Sequence, residues 1–158
     1  MTAIAELILE TIVTRLEQIT TGNGYEFTVA EVVRPDRTGE ATKYKHLGLF
    51  VEQGPRLRVP TMDVASSAPK IAYQMDVQIK CNARPSDTSA RSTWENKMYD
   101  AVVKAVTDAS NWQTMGGNAV YSEIGDCESI EPDEGEMVGC TVHVLVYYRV
   151  QESNPSAL

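Results

Sequence analysis

The sequence lacks the residue sets that metal sites and histidine- or cysteine-based active sites use. It contains two histidines, His46 and His143, and three cysteines without a C-x-x-C pair. A zinc site needs several such ligands at characteristic spacing, and nucleophilic catalysis needs a base placed by a motif. No phosphate-binding loop with a G-K-[ST] ending is present either. We therefore expect no cofactor and no enzymatic activity.

Positive charge and long apolar runs are also scarce. The chain of 158 residues carries 14 Lys and Arg against 22 Asp and Glu, a formal net charge of −8. Nucleic-acid binding needs clustered positive charge, so nucleic acid is not expected as the main partner. No apolar run approaches the roughly 20 residues of a membrane-spanning helix. The N-terminal residues have no basic segment ahead of an apolar run. We therefore expect neither a secretory signal nor a membrane partner.

Two long stretches alternate between apolar and polar residues. One runs from Lys70 to about Asn82, and the other runs from Met137 to Val150. A period of two over this length predicts strands of a sheet with one buried face. The second strand would span roughly 45 Å, more than the diameter of about 40 Å of a compact chain of this size. We interpret the excess as a strand that bends or reaches past its own subunit.

The cysteines are interpreted as structural. Cys81 and Cys140 fall on the apolar sides of the two long predicted strands. We expect them to be small buried side chains in a reducing compartment. A bridge between them would need adjacent strands and an oxidising environment.

Helical periodicity marks two further segments. Apolar residues recur at helical spacing from Ala3 to Ile19, ahead of a Gly22-Asn23-Gly24 cap. A second amphipathic helix is expected to begin at a capping box formed by Ser92 and Glu95, or earlier at Ser89 or Asp87, and to run to Trp112. Each helix has one apolar side that must be buried against another element.

Shorter strands are predicted from local alternation. We expect strands at Tyr25 to Val33, at Leu47 to Val51, at Leu57 to Val59 after a Gly54-Pro55 turn, and at Val120 to Gly125. The element order predicts an α+β domain, with a mostly antiparallel sheet, two helices packed on one face and long protruding strands. A single domain is expected over residues 1–151, followed by a disordered tail at 152–158.

Opposite charges concentrate in different parts of the chain. Basic residues gather in the first half, and acidic residues gather from Asp126 to Glu136 in a predicted loop. Complementary patches suit a head-to-tail contact between copies, although unpaired surface charge is an alternative. The outward side of the last strand mixes apolar and polar residues, as subunit interfaces do. The candidate interface residues are Arg34, Arg37, Lys43, Lys45, Arg56, Arg58, Glu128, Glu131, Asp133, Glu134, Glu136, His143, Leu145 and Tyr147.

The layout resembles the tail terminator, or tail-completion, proteins of tailed bacteriophages. The resemblance covers roughly residues 4 to 150 and rests on element order more than on motifs. Besides the two helices, it is carried by Gly22-Asn23-Gly24-Tyr25, by Val33-Arg34-Pro35, by Tyr73 to Ile79 followed by Ala83 to Asp87, and by Val142 to Tyr148.

This resemblance implies a structural subunit of a hexameric ring on the end of the tail tube. Such a ring stops polymerisation of the tube protein and offers a docking surface to the head-side connector. The chain would then belong to the virion neck, assembled in the host cytoplasm, with nucleic acid near it only in the channel. Related neck proteins share the layout, so terminator and neighbouring neck component both stay open. A small cytosolic ligand-binding or enzyme domain that uses the sheet face as a pocket is the alternative.

Reversing Glu131, Asp133 and Glu134 to lysine is expected to impair assembly and to leave the fold intact. The change turns attraction between complementary patches into repulsion. Light scattering measures the oligomeric mass, and circular dichroism measures the fold. Normal assembly of this variant would remove the acidic segment from the interface.

Overall fold

One five-stranded sheet and two α-helices form the described part of the chain. The computed structural model describes residues 2–34, 46–84, 91–129 and 138–153. The sheet has the order β1-β2-β3-β5-β4, and its pairs are antiparallel except for the parallel pair β1–β2. This confirms an α+β fold with a mostly antiparallel sheet. The elements are α1 (Ile4–Leu16), β1 (Glu31–Val33), β2 (Gly48–Arg58), β3 (Lys70–Ala83), α2 (Arg91–Thr107), β4 (Tyr121–Ser129) and β5 (Val138–Gln151).

The two long strands form the centre of the sheet. β3 and β5 are antiparallel neighbours whose residues pair without a break from Lys70 opposite Gln151 to Ala83 opposite Val138. The predicted alternation is confirmed, because every second residue of β5 from Val142 to Val150 is buried. Since both strands pair over their full length, strand length by itself gives no argument for assembly.

Both helices pack on the same face of the sheet. Their apolar sides and the inward residues of β2, β3 and β5 form one hydrophobic core. Its fully buried members include Ile8, Leu9, Ile12 and Leu16 of α1, Met98, Val102 and Val106 of α2, and Val77, Ile79, Val142, Val144 and Val146 of the sheet. None of the helices among the described residues has the length and apolar content that a bilayer crossing needs.

The helix ends differ from their predicted positions. α1 ends at Leu16, and Gly24, with a φ of 83°, instead caps a short 3₁₀ turn at Thr21–Asn23. Ile19 is still buried, so the apolar periodicity continued past the hydrogen-bonded helix. α2 ends at Thr107 instead of continuing to Trp112.

The predicted capping box of Ser92 and Glu95 is wrong, and the alternative starts at Ser89 and Asp87 lie outside the described residues. The helix already includes Arg91, which places Ser92 and Glu95 inside it and not at its boundary. The Ser92 hydroxyl is therefore not at the helix boundary, where a capping side chain accepts a hydrogen bond from a main-chain amide of the first turn.

A bulge, and not a turn, occupies the middle of β2. The strand runs through Gly54 and Pro55, where the pairing with β3 shifts register. Gly54 lies so close to β3 that a Cβ atom would be 2.6 Å from the carbonyl oxygen of Asp76. Pro55, which has no amide hydrogen to donate, is tolerated there because the bulge leaves one residue of β2 without a pairing partner on β3. The two short strands predicted on either side are thus one strand.

The strands near the two outer edges also differ from the prediction. Tyr25 to Val29 is not a strand, and only Glu31–Val33 pairs with β2. Phe27 instead packs edge-to-face on Trp94, with ring centres 6.1 Å apart. β4 continues to Ser129 through a bulge after Ile124, so the start of the predicted acidic loop is strand.

Only the start of the predicted tail lies among the described residues. Glu152 and Ser153 form a turn, and the Glu152 amide donates to the Pro69 carbonyl at 3.1 Å. Residues 154–158 lie outside the described residues.

Substituting Gly139→Ala is expected to destabilise the fold by at least about 2 kcal/mol. A Cβ at this position would overlap the backbone carbonyl of Cys81 on β3, and neither strand can move without breaking the central pairing. Chemical denaturation measures the free energy of unfolding. Gly22→Ala is the matched control, because its Cβ would come no closer than 3.8 Å to another atom, and we expect a change within about 0.5 kcal/mol. Equal stabilities of the two variants would contradict the close approach of β3 and β5 at Gly139.

Candidate subunit interface on the open sheet face

The face of the sheet opposite the helices, called here the open face, carries the predicted candidates of β5. The strand register aligns its side chains in rows that cross the sheet. The first row is Leu57, Gln74, Tyr147 and Tyr121, and the second is Asp76, Leu145 and Glu123. The third is Glu52, Gln78 and His143, and the fourth is Phe50, Lys80, Thr141 and Glu128.

Tyr147 is fixed in position by hydrogen bonds to both neighbouring strands. Its hydroxyl accepts from Gln74 Nε2 at 2.6 Å and donates to Glu123 Oε1 at 3.3 Å. The ring of Tyr121 lies beside it, with ring centres 6.3 Å apart. A half-buried aromatic residue held in this way offers a rigid contact surface at low entropic cost.

His143 lies between two carboxylates. Its Nδ1 is 2.9 and 3.0 Å from the two oxygens of Asp76, and its Nε2 is 3.8 Å from Glu128 Oε2. Nε2 is buried and has no hydrogen-bond partner within the described part of the chain. In a catalytic site, a carboxylate orients the histidine through one ring nitrogen, and a nucleophile lies within hydrogen-bond distance of the other ring nitrogen. Nε2 has no such group near it among residues 2–34, 46–84, 91–129 and 138–153.

Exposure changes along the open face. Phe50 and Thr141, in the fourth row, are buried, whereas the first three rows are half-buried or exposed. Lys80 is paired with Glu52 at 2.7 Å. The other carboxylates of these rows are Asp76, Glu123 and Glu128. They outnumber Arg149, a further cation on this side of β5, whose Nε donates to the Met62 carbonyl at 2.7 Å, so the described part of the face is acidic.

The described basic candidates do not lie on the open face. Arg34 is 9% exposed and donates to Glu6 Oε1 at 3.0 Å, which links the end of β1 to α1. Little of the Arg34 side chain is therefore accessible to a partner. The register places Arg56 and Arg58 on the helix side of β2. Arg58 binds Asp63 at 2.7 Å and lies 5.5 Å from the centre of the Tyr73 ring.

Arg56 is exposed and is held by its own strand. With the Gln53 amide oxygen turned towards it, Arg56 Nε and Nη2 donate at 2.6 and 2.8 Å. The open face brings together Glu128, His143, Leu145 and Tyr147 from the sequence-predicted set. The other candidates lie outside the described residues: Arg37, Lys43, Lys45, Glu131, Asp133, Glu134 and Glu136.

Sequence reasoning missed the partners of these side chains on β3 and β4. Gln74, Asp76, Glu123 and Tyr121 complete the rows of the open face. The polar positions of β3 indicated an outward side, but only the strand register tells which residues stand beside Tyr147 and His143.

Three surface cavities of the described residues were candidates for a small-molecule site. Their volumes are about 200, 220 and 240 Å³, below the roughly 300 Å³ at which ligand pockets begin. They lie on the helix side and are bordered by Lys97 and Lys104, by Glu95 and Cys127, and by Arg56 and Tyr148. No three metal-ligating side chains among the described residues are placed to hold an ion.

The three cysteines come together on the helix side of the sheet. Cys81 stands directly opposite Cys140, and Cys127 of β4 lies on the other side of Cys140. All three are free thiols, and only Cys127 is exposed. The expected burial of Cys81 and Cys140 is confirmed, and their strands are adjacent.

Hydrogen bonds among the thiols separate their pKa values. The side-chain interaction with Cys81 lowers the pKa of Cys140, although burial of the sulfur opposes the change. The hydrogen bond to Cys140, with burial next, raises the pKa of Cys81. Burial of the sulfur, with the charge of Cys140 next, raises the pKa of Cys127 to about 12.

The sequence matches no protein-family model and no curated protein. The function is therefore inferred from the open face and its neighbouring side chains.

Cys127 is expected to be alkylated by iodoacetamide far more slowly than a free cysteine at pH 8, despite its exposure. Only the thiolate reacts, and a pKa of about 12 leaves a small thiolate fraction at that pH. The rate should rise about tenfold per pH unit from pH 7 to pH 10, because the thiol stays mostly protonated over this range. Mass spectrometry follows the reaction, and Cys127→Ser identifies the site. A rate that levels off near pH 8.5 would contradict the raised pKa.

Proposed function

We propose that the chain is a structural subunit of a ring in the neck of a tailed-bacteriophage virion, where the ring caps the tail tube and joins it to the head-side connector. The observation that supports this best is the open face of the sheet. It is broad, is not covered by either helix, and combines Tyr147, Leu145 and His143 with carboxylates. Such a mixture is typical of the contact surface between subunits of an assembly.

The rigidity of this surface supports docking to another protein. Its side chains stand on strands and not on loops, and hydrogen bonds between neighbouring strands hold Tyr147 and His143 in place. A contact surface that is ordered in advance loses less entropy when a partner binds. We infer that the open face is the surface that meets the tail tube or the connector.

The chemistry of the face indicates the kind of partner surface. The open face is acidic because it carries Asp76, Glu123 and Glu128. Its apolar contact area comes from Leu145 and Tyr147. A partner surface with basic side chains around an apolar centre complements it in charge. The alternative, a ligand-binding or enzyme domain, would instead use a concave pocket with convergent polar groups, and the open face is a sheet surface.

The purified protein is expected to be oligomeric, or to become so on tail tubes, and to stop their growth. Light scattering measures the mass in solution, and electron microscopy measures tube length in the presence and absence of the protein. A protein that stays monomeric and leaves tube length unchanged would exclude the proposed function.

Leu145→Asp is expected to weaken tube capping by at least about tenfold while leaving the oligomeric mass unchanged. The substitution places a further charge among Asp76 and Glu123, where a partner would have to desolvate it. The concentration of protein needed to halt tube growth gives the measurement. Thr14→Asp, on the exposed side of α1, is the matched control. Unchanged capping by Leu145→Asp would remove the open face from the tube contact.

A further inference from the structure

The three thiols of the chain form one cluster on the helix side of the sheet, called here the thiol cluster. Cys81 and Cys140 are free and buried, at 0% and 2% exposure, and Cys127 is free and exposed. Their strands, β3, β5 and β4, are neighbours in the sheet. Alanine or valine would fill the two buried positions with a similar apolar volume, so packing by itself does not account for sulfur at all three places.

Cys81 and Cys140 are placed for a disulfide bond. They stand directly opposite each other in the uninterrupted pairing of β3 with β5, and both are buried on the helix side. Directly opposite residues of antiparallel strands have Cα atoms about 4.5 or 5.5 Å apart. A disulfide bond spans Cα distances of about 4.4 to 6.8 Å, so both values suit it. The strands therefore need no shift of register to form the bond.

Cys127 is less well placed for a bond to Cys140. It pairs with Val142, and Ser129 is the residue of β4 that stands opposite Cys140. Cys127 and Cys140 are therefore diagonal neighbours, and the Cα atoms of such neighbours lie about 7 to 8 Å apart. This separation exceeds the usual reach of a disulfide. The strand register thus favours the pair of Cys81 and Cys140.

A cavity gives a small oxidant access to Cys140. Its volume is about 220 Å³, and Tyr99, Cys127 and Cys140 are among the residues that border it. A water molecule in the liquid occupies about 30 Å³, so the cavity admits a molecule as small as hydrogen peroxide. Cys81 does not border the cavity. An oxidant that enters from the surface therefore meets Cys140 before it meets Cys81.

The protonation of the thiols favours the same order. The thiolate is the form that reacts with peroxide, so a lower pKa gives a larger reactive fraction. The side-chain interaction with Cys81 lowers the pKa of Cys140. The interaction with Cys140 raises the pKa of Cys81, and burial of the sulfur raises the pKa of Cys127 to about 12. The thiol beside the cavity is thus also the one whose pKa is lowered.

We propose that hydrogen peroxide converts Cys81 and Cys140 into a disulfide that links β3 to β5 and stabilises the fold, with Cys140 reacting first. The Cys140 thiolate attacks one peroxide oxygen and becomes a sulfenic acid, while the O–O bond breaks and the departing hydroxide takes up the former thiol proton to give water. The Cys81 sulfur then attacks the Cys140 sulfur. The S–S bond forms as the S–O bond breaks, and the hydroxyl group leaves with the Cys81 proton as a second water. Two thiols are oxidised, and one peroxide is reduced to two water molecules.

For a virion subunit, the bond forms after assembly. Thiols stay reduced in a cytoplasm, where the neck is assembled, and disulfides persist in oxidising surroundings such as those of a released virion. A bond across the central strands restricts the unfolded chain and so stabilises the folded subunit in the released particle. This timing rests on the proposed function, whereas the bond itself rests on the geometry of the thiol cluster.

Peptide mapping by mass spectrometry tests the bond in the unmodified chain. The protein is treated with hydrogen peroxide, with N-acetylcysteine in a parallel sample as the oxidation control. Catalase stops the reaction, and iodoacetamide labels the remaining thiols as the protein is denatured. We expect the peptides of Cys81 and Cys140 to be joined and the peptide of Cys127 to be alkylated. Free thiols at Cys81 and Cys140 when the N-acetylcysteine has been oxidised, or a bond that includes Cys127, would overturn the proposal.

Two variants in a Cys127→Ser background test the order of reaction. Dimedone labels sulfenic acids and is added as the peroxide-treated protein is denatured. We expect it to label Cys140 in the Cys81→Ala variant and to leave Cys81 unlabelled in the Cys140→Ala variant. Circular dichroism checks the fold of each variant, and the mapping of the unmodified chain depends on neither. A label on Cys81, or none on Cys140, would overturn the assigned order.

Thermal unfolding measures the effect of the bond on stability. The melting temperature of the peroxide-treated protein is compared before and after dithiothreitol, which reduces the disulfide and leaves methionine sulfoxide unchanged. We expect a fall of at least about 4 °C on reduction, and no change in Cys140→Ala, the matched control. Equal melting temperatures before and after reduction would overturn the stabilising link. A protein that caps tail tubes but never forms the bond would overturn this inference and leave the proposed function standing.

Discussion

The continuous pairing of β3 with β5 organises both faces of the sheet. Their register fixes which side chains face the helices and which face the open side, because a shift of one residue would exchange the two faces. It places Cys81 beside Cys140 in the core and Asp76 near His143 on the open face. Gly139 permits the close approach of the two strands where a side chain would collide with β3.

The two faces of the sheet contribute differently to the structure. The helix face is covered by α1 and α2 and supplies the hydrophobic core. The open face contributes little to that core, yet its polar side chains are ordered by hydrogen bonds between strands. Hydrogen bonds among partly exposed groups add modest stability, so their main effect here is to fix the shape of a surface.

Much of the fold could be predicted from the sequence. The alternation of β3 and β5 and the helical periodicity of α1 and α2 are strong signals, because burial repeats at the period of each element. Element boundaries were less predictable. Gly54-Pro55 reads as a turn, but at an outer strand it forms a bulge, and the acids after Gly125 read as a loop although Asp126 to Ser129 continue β4. In both places strand pairing outweighed local propensity.

The amino-acid sequence alone is enough to predict one sheet with a buried side, two covering helices and an outward side of mixed polarity on β5. These follow from side-chain periodicity, which is local. The folded chain is needed to show that Leu57 and Tyr121 end the same row, that Arg34 forms an ion pair with Glu6, and that the three cysteines meet. Those facts depend on strand order and register, which join residues far apart in the chain and leave no periodic signal in it.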